Sequence, residues 1–381
     1  MIDPAAVPLS LYVHVPWCVR KCPYCDFNSH QRPTLLPEAA YVDALIADLE
    51  LERPFALGRP LQSIFFGGGT PSLFSGKAIR RILDAVRARL ELAAACEVTL
   101  ETNPGTAEFD RFEAYLAAGV NRLSFGVQSF DDTKLARLGR IHGGDEARQA
   151  YRLARAAGFD NINLDLMYGL PGQSIEQALT DLRCALELAP EHLSHYQLTL
   201  EPQTVFARTP PPDLPDDDVL VDMLEACQPL LSAGAFQQYE VSAYATAGRR
   251  SRHNLNYWSF GDYLAIGAGA HAKYSSAAGI RRRARQRTPS LYLKTAGSSA
   301  ALIEQRDVDP REVAFEFMLN ALRLREGFAV ADFVARTGQR LEDQAGYSLA
   351  LSRGLLEQRH DRVYASELGF RFLNDTTGCF L

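Results

Sequence analysis

Leu11-Tyr-Val-His-Val-Pro-Trp-Cys18-Val-Arg-Lys-Cys22-Pro-Tyr-Cys25-Asp-Phe27 is the stretch that decides how this chain is read. A β-prone run, Leu11–Val15, stops at Pro16, and a loop with C-x3-C-x2-C spacing follows. Three thiolates on one tight loop can hold three irons of a cubane iron–sulfur cluster and leave the fourth iron open. An iron with an open position can bind a small molecule and pass it an electron, so the loop reads as a reactive site. Structural zinc is the competing reading. It takes four ligands, and His14 or His30 would have to complete the set. A disulfide framework fits poorly, because the cysteine total of 7 is odd. Met1-Ile-Asp-Pro also lacks the basic and apolar segments of a signal peptide. Cys96, Cys184, Cys227 and Cys379 stand singly among apolar neighbours and read as buried thiols.

Working outward, one pattern recurs from residue 10 to about 205: a short β-branched or aromatic run, a turn, an amphipathic helix. The expected strands are Leu11–Val15, Ser63–Phe66, Glu97–Glu101, Arg122–Gly126, Asn161–Met167 and His195–Leu200. The expected helices are Pro37–Leu51, Gly76–Leu92, Glu108–Ala118, Asp145–Ala157 and Ser174–Leu188, with Gly119 and Gly158 at C-cap positions. Serial βα units imply a parallel α/β sheet, either a complete or partial barrel or an open doubly wound sheet. Periodicity does not separate these, but the placement of unusual residues favours the barrel. The first strand runs into the cysteine loop and the second into Gly67-Gly-Gly-Thr-Pro-Ser72. The third ends in Glu101-Thr-Asn-Pro104, the fourth leads to Gln128, the fifth carries Asp165 and the sixth leads to Glu201. Successive strand C-termini are where an α/β barrel builds its site.

After Pro210-Pro-Pro-Asp-Leu-Pro215 the pattern changes. A helix is expected over Asp217–Ala233 and a strand over Tyr239–Tyr244. Arg281-Arg-Arg-Ala-Arg-Gln-Arg287 reads as a basic loop. From about 308 the chain turns helical (Arg311–Leu324, Ala329–Arg336, Leu341–Arg359), with a closing pair Val363-Tyr364 and Phe370-Arg-Phe. These shifts divide the chain into 1–210, 211–305 and 306–381. The 381 residues carry a net charge of -6, with 47% apolar and 23% charged residues. That balance argues against nucleic acid as the partner, and no apolar run reaches the ~20 residues that cross a bilayer. The expectation is a cytoplasmic protein without a transmembrane segment, its membrane contact at most peripheral.

With these motifs in order, the first 205 residues resemble the radical S-adenosylmethionine (SAM) superfamily. The chain from residue 10 to 381 is similar to the branch holding the oxygen-independent coproporphyrinogen III oxidases and the HemW-type heme chaperones. The resemblance implies a partial (β/α)6 barrel with a smaller, mostly helical, winged-helix-like C-terminal domain. It implies that Cys18, Cys22 and Cys25 ligate a [4Fe-4S] cluster whose open iron is chelated by SAM. It assigns SAM contacts to Gly68, Gly69, Thr70, Glu101, Gln128, Arg140 and Asp165, and sets Tyr12 and Tyr24 beside the cluster and adenine. From the residues alone, a Gly-Gly-Gly run suits a flexible turn and Arg140 suits a solvated helix end. Asp165 is different: a carboxylate inside Ile162-Asn-Leu-Asp-Leu-Met167 needs partners or a job.

Two positions separate carrier from enzyme within that branch. The oxidases carry a fourth cysteine two residues after the third, and this chain has Phe27, which cannot bind a metal. The loop also begins within twenty residues of Met1, whereas the oxidases carry an extended N-terminal arm. His253-Asn-Leu-Asn-Tyr-Trp258 matches the H-N-x-x-Y-W motif of the chaperones, and imidazole is a common heme ligand, with Tyr257 and Trp258 offering flat faces. A buried core histidine is the competing reading of His253. Arg281–Arg287 is a weaker candidate for heme propionates, and His271 can equally be structural. The expected function is therefore a heme chaperone passing heme to an unidentified acceptor protein. Oxidative decarboxylation of coproporphyrinogen III is the alternative.

Overall fold

The computed structural model describes residues 1–105 and 112–381; the start of the helix expected at Glu108–Ala118 lies outside them. Five strands fall where the hydrophobic pattern sets them: β1 (Leu9–Val15), β2 (Leu61–Gly68), β3 (Leu92–Thr102), β4 (Arg122–Gln128) and β5 (Ile162–Tyr168); the sixth, β6 (His192–Gln197), starts and ends three residues before the expected His195–Leu200. Between them run α1 (Glu38–Glu52), α2 (Gly76–Arg87), α3 (Phe112–Ala118), α4 (Gly144–Ala156) and α5 (Ile175–Glu187). Local chemistry fixes their ends. Ser174 and Gln177 cap α5 reciprocally, Ser174 Oγ accepting from Gln177 N–H at 3.2 Å and Gln177 Oε1 from Ser174 N–H at 2.9 Å.

Neighbouring strands β1 to β6 pair in parallel and in sequence order. The register sorts their side chains onto two unlike faces. Leu11, Val13, Ile64, Phe66, Val98, Leu100, Leu123, Phe125, Leu164 and Leu166 are buried beneath the helices in one apolar core. The other face is polar: Ser10, Tyr12 and His14 stand beside Ser63, Phe65 and Gly67. Glu97, Thr99 and Glu101 follow, then Arg122, Ser124 and Gly126. Asn163 and Asp165 come next, then His192 and Ser194. Strands of parallel sheets are usually apolar on both faces, so this inner face is built to meet something other than a helix.

The parallel arc does not close on itself. After α6 (Asp217–Ala233), the expected strand Tyr239–Tyr244 is broken into β7 (Gln237–Glu240) and β8 (Ala243–Ala245), an antiparallel pair on the β6 edge. The segment 252–258 forms a short helix, α7 (Arg252–Trp258), capped by Ser251. On the other edge β9 (Asp262–Ile266) pairs in parallel with β1 and is followed by antiparallel β10 (His271–Ser276), β11 (Gly279–Arg285) and β12 (Leu302–Asp307). The basic run is therefore a strand, not a loop. Arg283 and Arg285 are buried against Glu52 and Asp48 of α1, Arg285 Nε donating to Asp48 Oδ1 at 2.8 Å and Arg283 Nη1 to Glu52 Oε1 at 3.0 Å. Arg281 pairs with Asp307 and Arg282 with Glu316. Four of the run's five arginines are matched within the fold, which removes those four as propionate partners; Arg287 lies beyond the strand.

The C-terminal region builds a second core around Phe317, Phe328 and Phe333. α8 (Pro310–Ala321) leads it, and Phe328–Ala329, Arg362–Ala365 and Leu356–Arg359 form a three-stranded antiparallel sheet. The single helix expected over Leu341–Arg359 is instead a turn, a short helix Ala345–Ser352 and the strand Leu356–Arg359, because Gly354 at φ +68 ends the helical path. Phe370 lies in a helix rather than in the closing hairpin. The region meets the barrel where Glu240 bridges Leu324 and Arg325 N–H donates to Tyr239 O at 3.0 Å. Among the described residues no helix is long and apolar enough to cross a membrane.

Candidate metal and cofactor cleft

The cysteine loop is anchored at both ends. Trp17–Cys18 pairs in parallel with His30–Gln31, and Arg32 N–H donates to Cys18 O at 2.8 Å. Asn28 ties the loop to the β9–β10 turn and the end of β11 by donating to Ala268 O at 2.9 Å and Arg287 O at 2.8 Å. Cys18, Cys22 and Cys25 all line one cleft of about 500 Å³, each half-buried. Burial pushes the Cys18 thiol up to about 11 and raises Cys25 as well. No three His, Cys, Asp or Glu side chains among the described residues converge on a point as ligands of a single ion. Three soft thiols facing one cleft at wider spacing suit a multi-iron cube, with a fourth iron turned toward the cavity.

Gly67, Gly68 and Thr70 are anything but a flexible turn. Gly68 holds φ +108, and a Cβ there would lie 2.4 Å from the His14 ring. One on Gly69 would meet the Trp17 carbonyl at 2.6 Å. The amides here are committed: Gly68 N–H to Glu101 Oε2 (3.2 Å), Gly69 N–H to Val15 O (2.7 Å) and Thr70 N–H to Trp17 O (2.8 Å). What the run can present to the cleft is therefore carbonyl oxygen.

Glu101 and Asp165 face the cleft from β3 and β5. Burial, with the Asp165 charge adding to it, pushes the Glu101 carboxyl up to about 8, against the help of the Gly68 N–H. Burial also raises Asp165, although Asn163 donates to it at 2.7 Å and Ser124 at 3.4 Å. Neither has a cationic side chain within ion-pair distance among the described residues. Two partly buried carboxyls without a counter-ion favour a positively charged ligand.

Arg140 lies on the same wall and is not a solvated helix end. It donates to Asn103 Oδ1 at 2.6 Å and to Gly126 O, and its Nη1 sits 3.8 Å from Cys22 Sγ. Burial works against its charge, but the Tyr24 phenol and the Cys22 thiol hold its pKa above the usual value. Tyr24 lines the cleft and packs against Phe206. A bulge at Val127 re-aims β4, so Gln128 takes φ +69 and accepts from Tyr196 O–H at 2.8 Å. Sequence reasoning missed Tyr196 and Asn103. Asn103 links Thr70 (2.8 Å) to Arg140, and its place before Pro104 at a strand end was the available signal.

Tyr12 and His253 are not brought to the cleft wall. The Tyr12 ring lies under Gly67, and its hydroxyl meets His14 Nδ1 at 3.0 Å. His253 is 2% exposed. Its Nδ1 meets Ser63 Oγ at 2.9 Å, and Phe65 and Tyr257 enclose its ring at 4.8 and 5.0 Å. Burial lowers its pKa to about 3. A heme could reach His253 only by displacing those rings, so the heme-ligand role expected for it does not fit this geometry. The competing reading, a core histidine, fits its burial, although its Nε2 is left without a hydrogen-bond partner.

Fold and cysteine loop together define a class, the radical SAM proteins: residues 12–185 match the Radical SAM superfamily and residues 308–372 the HemN C-terminal domain. The chain is 51% identical to "Heme chaperone HemW" of Escherichia coli over 98% of each chain. It is 46% identical to "Heme chaperone HemW" of Haemophilus influenzae over 99% of each, and 33% identical to that of Bacillus subtilis. The chain belongs to the HemW family of radical SAM proteins. Its fold is that of coproporphyrinogen III oxidase (HemN) from Escherichia coli, with a TM-score of 0.82 over 98% of this chain and 90% of that one, at 23% identity. The family implies a [4Fe-4S] cluster and SAM, and the three thiols, the glycine run and the carboxyl pair fit both.

Proposed function

We propose that this chain binds heme in the cytoplasm and hands it to an acceptor protein, working with a [4Fe-4S] cluster and SAM. The whole-length likeness to proteins named heme chaperones carries the reading. Phe27 supports it: the residue is 57% exposed at the position where the branch's porphyrinogen oxidases carry a fourth cysteine. Cys18, Cys22 and Cys25 would hold the cluster. Gly68, Gly69, Thr70, Glu101, Gln128, Arg140 and Asp165, with Tyr24, would hold SAM. When bound, these groups supply one-electron chemistry at an iron with an open position.

The chain's own residues prepare that binding. Carbonyls of the glycine run accept from an ammonium group. Arg140, steadied by Asn103 and Gly126 O, presents a guanidinium to a carboxylate. Glu101 is held largely as the acid at neutral pH and gives up its proton when a cation settles beside it. Asp165 and its Asn163–Ser124 network fix the opposite wall.

The test is anaerobic. Reconstituted protein is titrated with hemin, then incubated with SAM, a reductant and coproporphyrinogen III. Saturable heme binding without vinyl product is expected. Protoporphyrinogen formation would replace the carrier reading with the oxidase one.

A further inference from the structure

The segment His253–Trp258 sends its residues in two directions. His253 is enclosed behind the inner face, whereas Asn254 and Trp258 line the cleft. The guanidinium carbon of Arg323 sits 4.2 Å from the centre of the Trp258 ring. Arg323 comes from the C-terminal region, just beyond α8, and also lines the cleft. Its Nη2 donates to Glu240 Oε2 at 2.9 Å, with Ser242 Oγ at 3.5 Å. Glu240 also accepts from Ser242 N–H at 3.1 Å. Two N–H groups of the stacked pair are buried without a partner: Trp258 Nε1 and Arg323 Nε.

Buried donors without acceptors are scarce in folded proteins and call for an explanation. Here the two belong to an indole and a guanidinium in contact on the wall of one cavity, the guanidinium's charge shared with Glu240. The matching ligand is a planar anion that accepts from both, which is a carboxylate. Glu240 holds the guanidinium by Nη2, while Nε, sealed from the cavity in this conformation, makes no bond, so an occupant would engage it by a small turn of the pair. The apolar body of such a ligand would face the indole.

We propose that Trp258, Arg323 and Asn254 form a carboxylate subsite on the wall built by β7 and the C-terminal region, and that it receives a propionate of the heme. This rests on the reading of heme as cargo. It also gives the H-N-x-x-Y-W motif a role other than axial ligation. SAM carries a carboxylate too, and the experiment separates the two sources.

The full-length wild type and Trp258→Phe, Asn254→Ala and Arg323→Gln variants are titrated with hemin, with hemin dimethyl ester and with SAM. Trp258→Phe keeps an aromatic ring under Arg323 and removes the N–H together with the five-membered ring, a smaller change than truncation, so it guards against misfolding. Wild type is expected to prefer hemin over the diester by about tenfold, ~1.4 kcal/mol. The preference should shrink to about threefold in Trp258→Phe and vanish in Arg323→Gln, with SAM affinity unchanged. Equal affinity of the wild type for acid and ester would overturn the subsite and leave the heme reading standing. Loss of SAM binding with intact hemin preference would overturn the assignment to heme. Absence of binding to either porphyrin would overturn both.

Discussion

Two regions of this molecule bury charge, and they do it in opposite ways. On the β9–β11 side every buried charge has its match. Asp48 and Glu52 face Arg283 and Arg285, and Asp262 is gripped by Arg59 at 2.8 Å and Lys273 at 3.0 Å. Those cations win over burial at Asp262, whose carboxyl is held below its ordinary range. At Asp48 burial outweighs Arg285 and pushes the carboxyl up, so the two sides differ in pairing rather than uniformly in the direction of the shift. In the cleft, Glu101 and Asp165 are only partly buried, have polar neighbours but no cation at ion-pair range among the described residues, and are pushed upward. Matched buried charge fastens one element to another. Unmatched buried charge is poised for a ligand. The contrast locates the functional face without reference to any motif.

The sharpest way to break that contrast is at the loop itself. A Cys18→Ala protein should lose nearly all bound iron and inorganic sulfide after anaerobic reconstitution, while its unfolding midpoint stays close to wild type. A variant that retains full iron and sulfide would show that the loop is not the cluster site. The matched region should respond in reverse. Arg285→Met leaves Asp48 with Tyr292 but no cation, and it removes one of the two cations on Glu52. Stranding buried charge in this way costs about 3–5 kcal/mol. Urea denaturation should report that loss, with cluster content per folded molecule unchanged.

Much of this was legible beforehand, for identifiable reasons. Strands β1 to β6 were readable because their outward residues form short apolar runs bounded by turns, and the loop because its spacing is itself the chemistry. The basic strand β11 was not readable. A charge run normally faces water, and only the distant carboxylates of α1, more than two hundred residues earlier, show that two of its arginines point inward. The same holds for His253: its residue type permits ligation, and only the rings packed around it decide otherwise. Arg323 gave no signal at all, since its place in the cleft depends on how the C-terminal region docks against β7.

A pH series sharpens the comparison at intermediate scale. Glu101's folded pKa, about 8, lies above the ordinary carboxyl value, so between roughly pH 4.5 and 8 the folded chain holds a proton that the unfolded chain has released. Stability from this group is complete at low pH and falls as pH rises through that window, by at most ~1.4 kcal/mol per pH unit. Glu101→Gln should remove this slope, so the variant gains on wild type from pH 6 to pH 8. A constant difference between the two across that range would mean that Glu101 is ionised throughout. Asp262→Asn should show the opposite sign, its deficit against wild type being present at neutral pH and shrinking in acid as the aspartate takes up its proton.

The smallest expected effect lies at Asn103, and it tests whether the cleft wall is prepared for a ligand or merely packed. Asn103 is half-buried and makes two side-chain hydrogen bonds, to Thr70 Oγ1 and from Arg140. Arg140 keeps its bond to Gly126 O without it. Asn103→Ala should therefore cost only about 1 kcal/mol of stability, in the usual range for partly exposed hydrogen bonds. Its consequence for binding should be larger, because the guanidinium loses the partner that fixes its direction beside Cys22. SAM affinity, measured calorimetrically on cluster-loaded protein, is expected to fall about tenfold, with Asn103→Ser falling less. If stability drops while SAM affinity is unchanged, the residue only packs the wall, and preparation of the cleft must reside in the carboxyl pair alone.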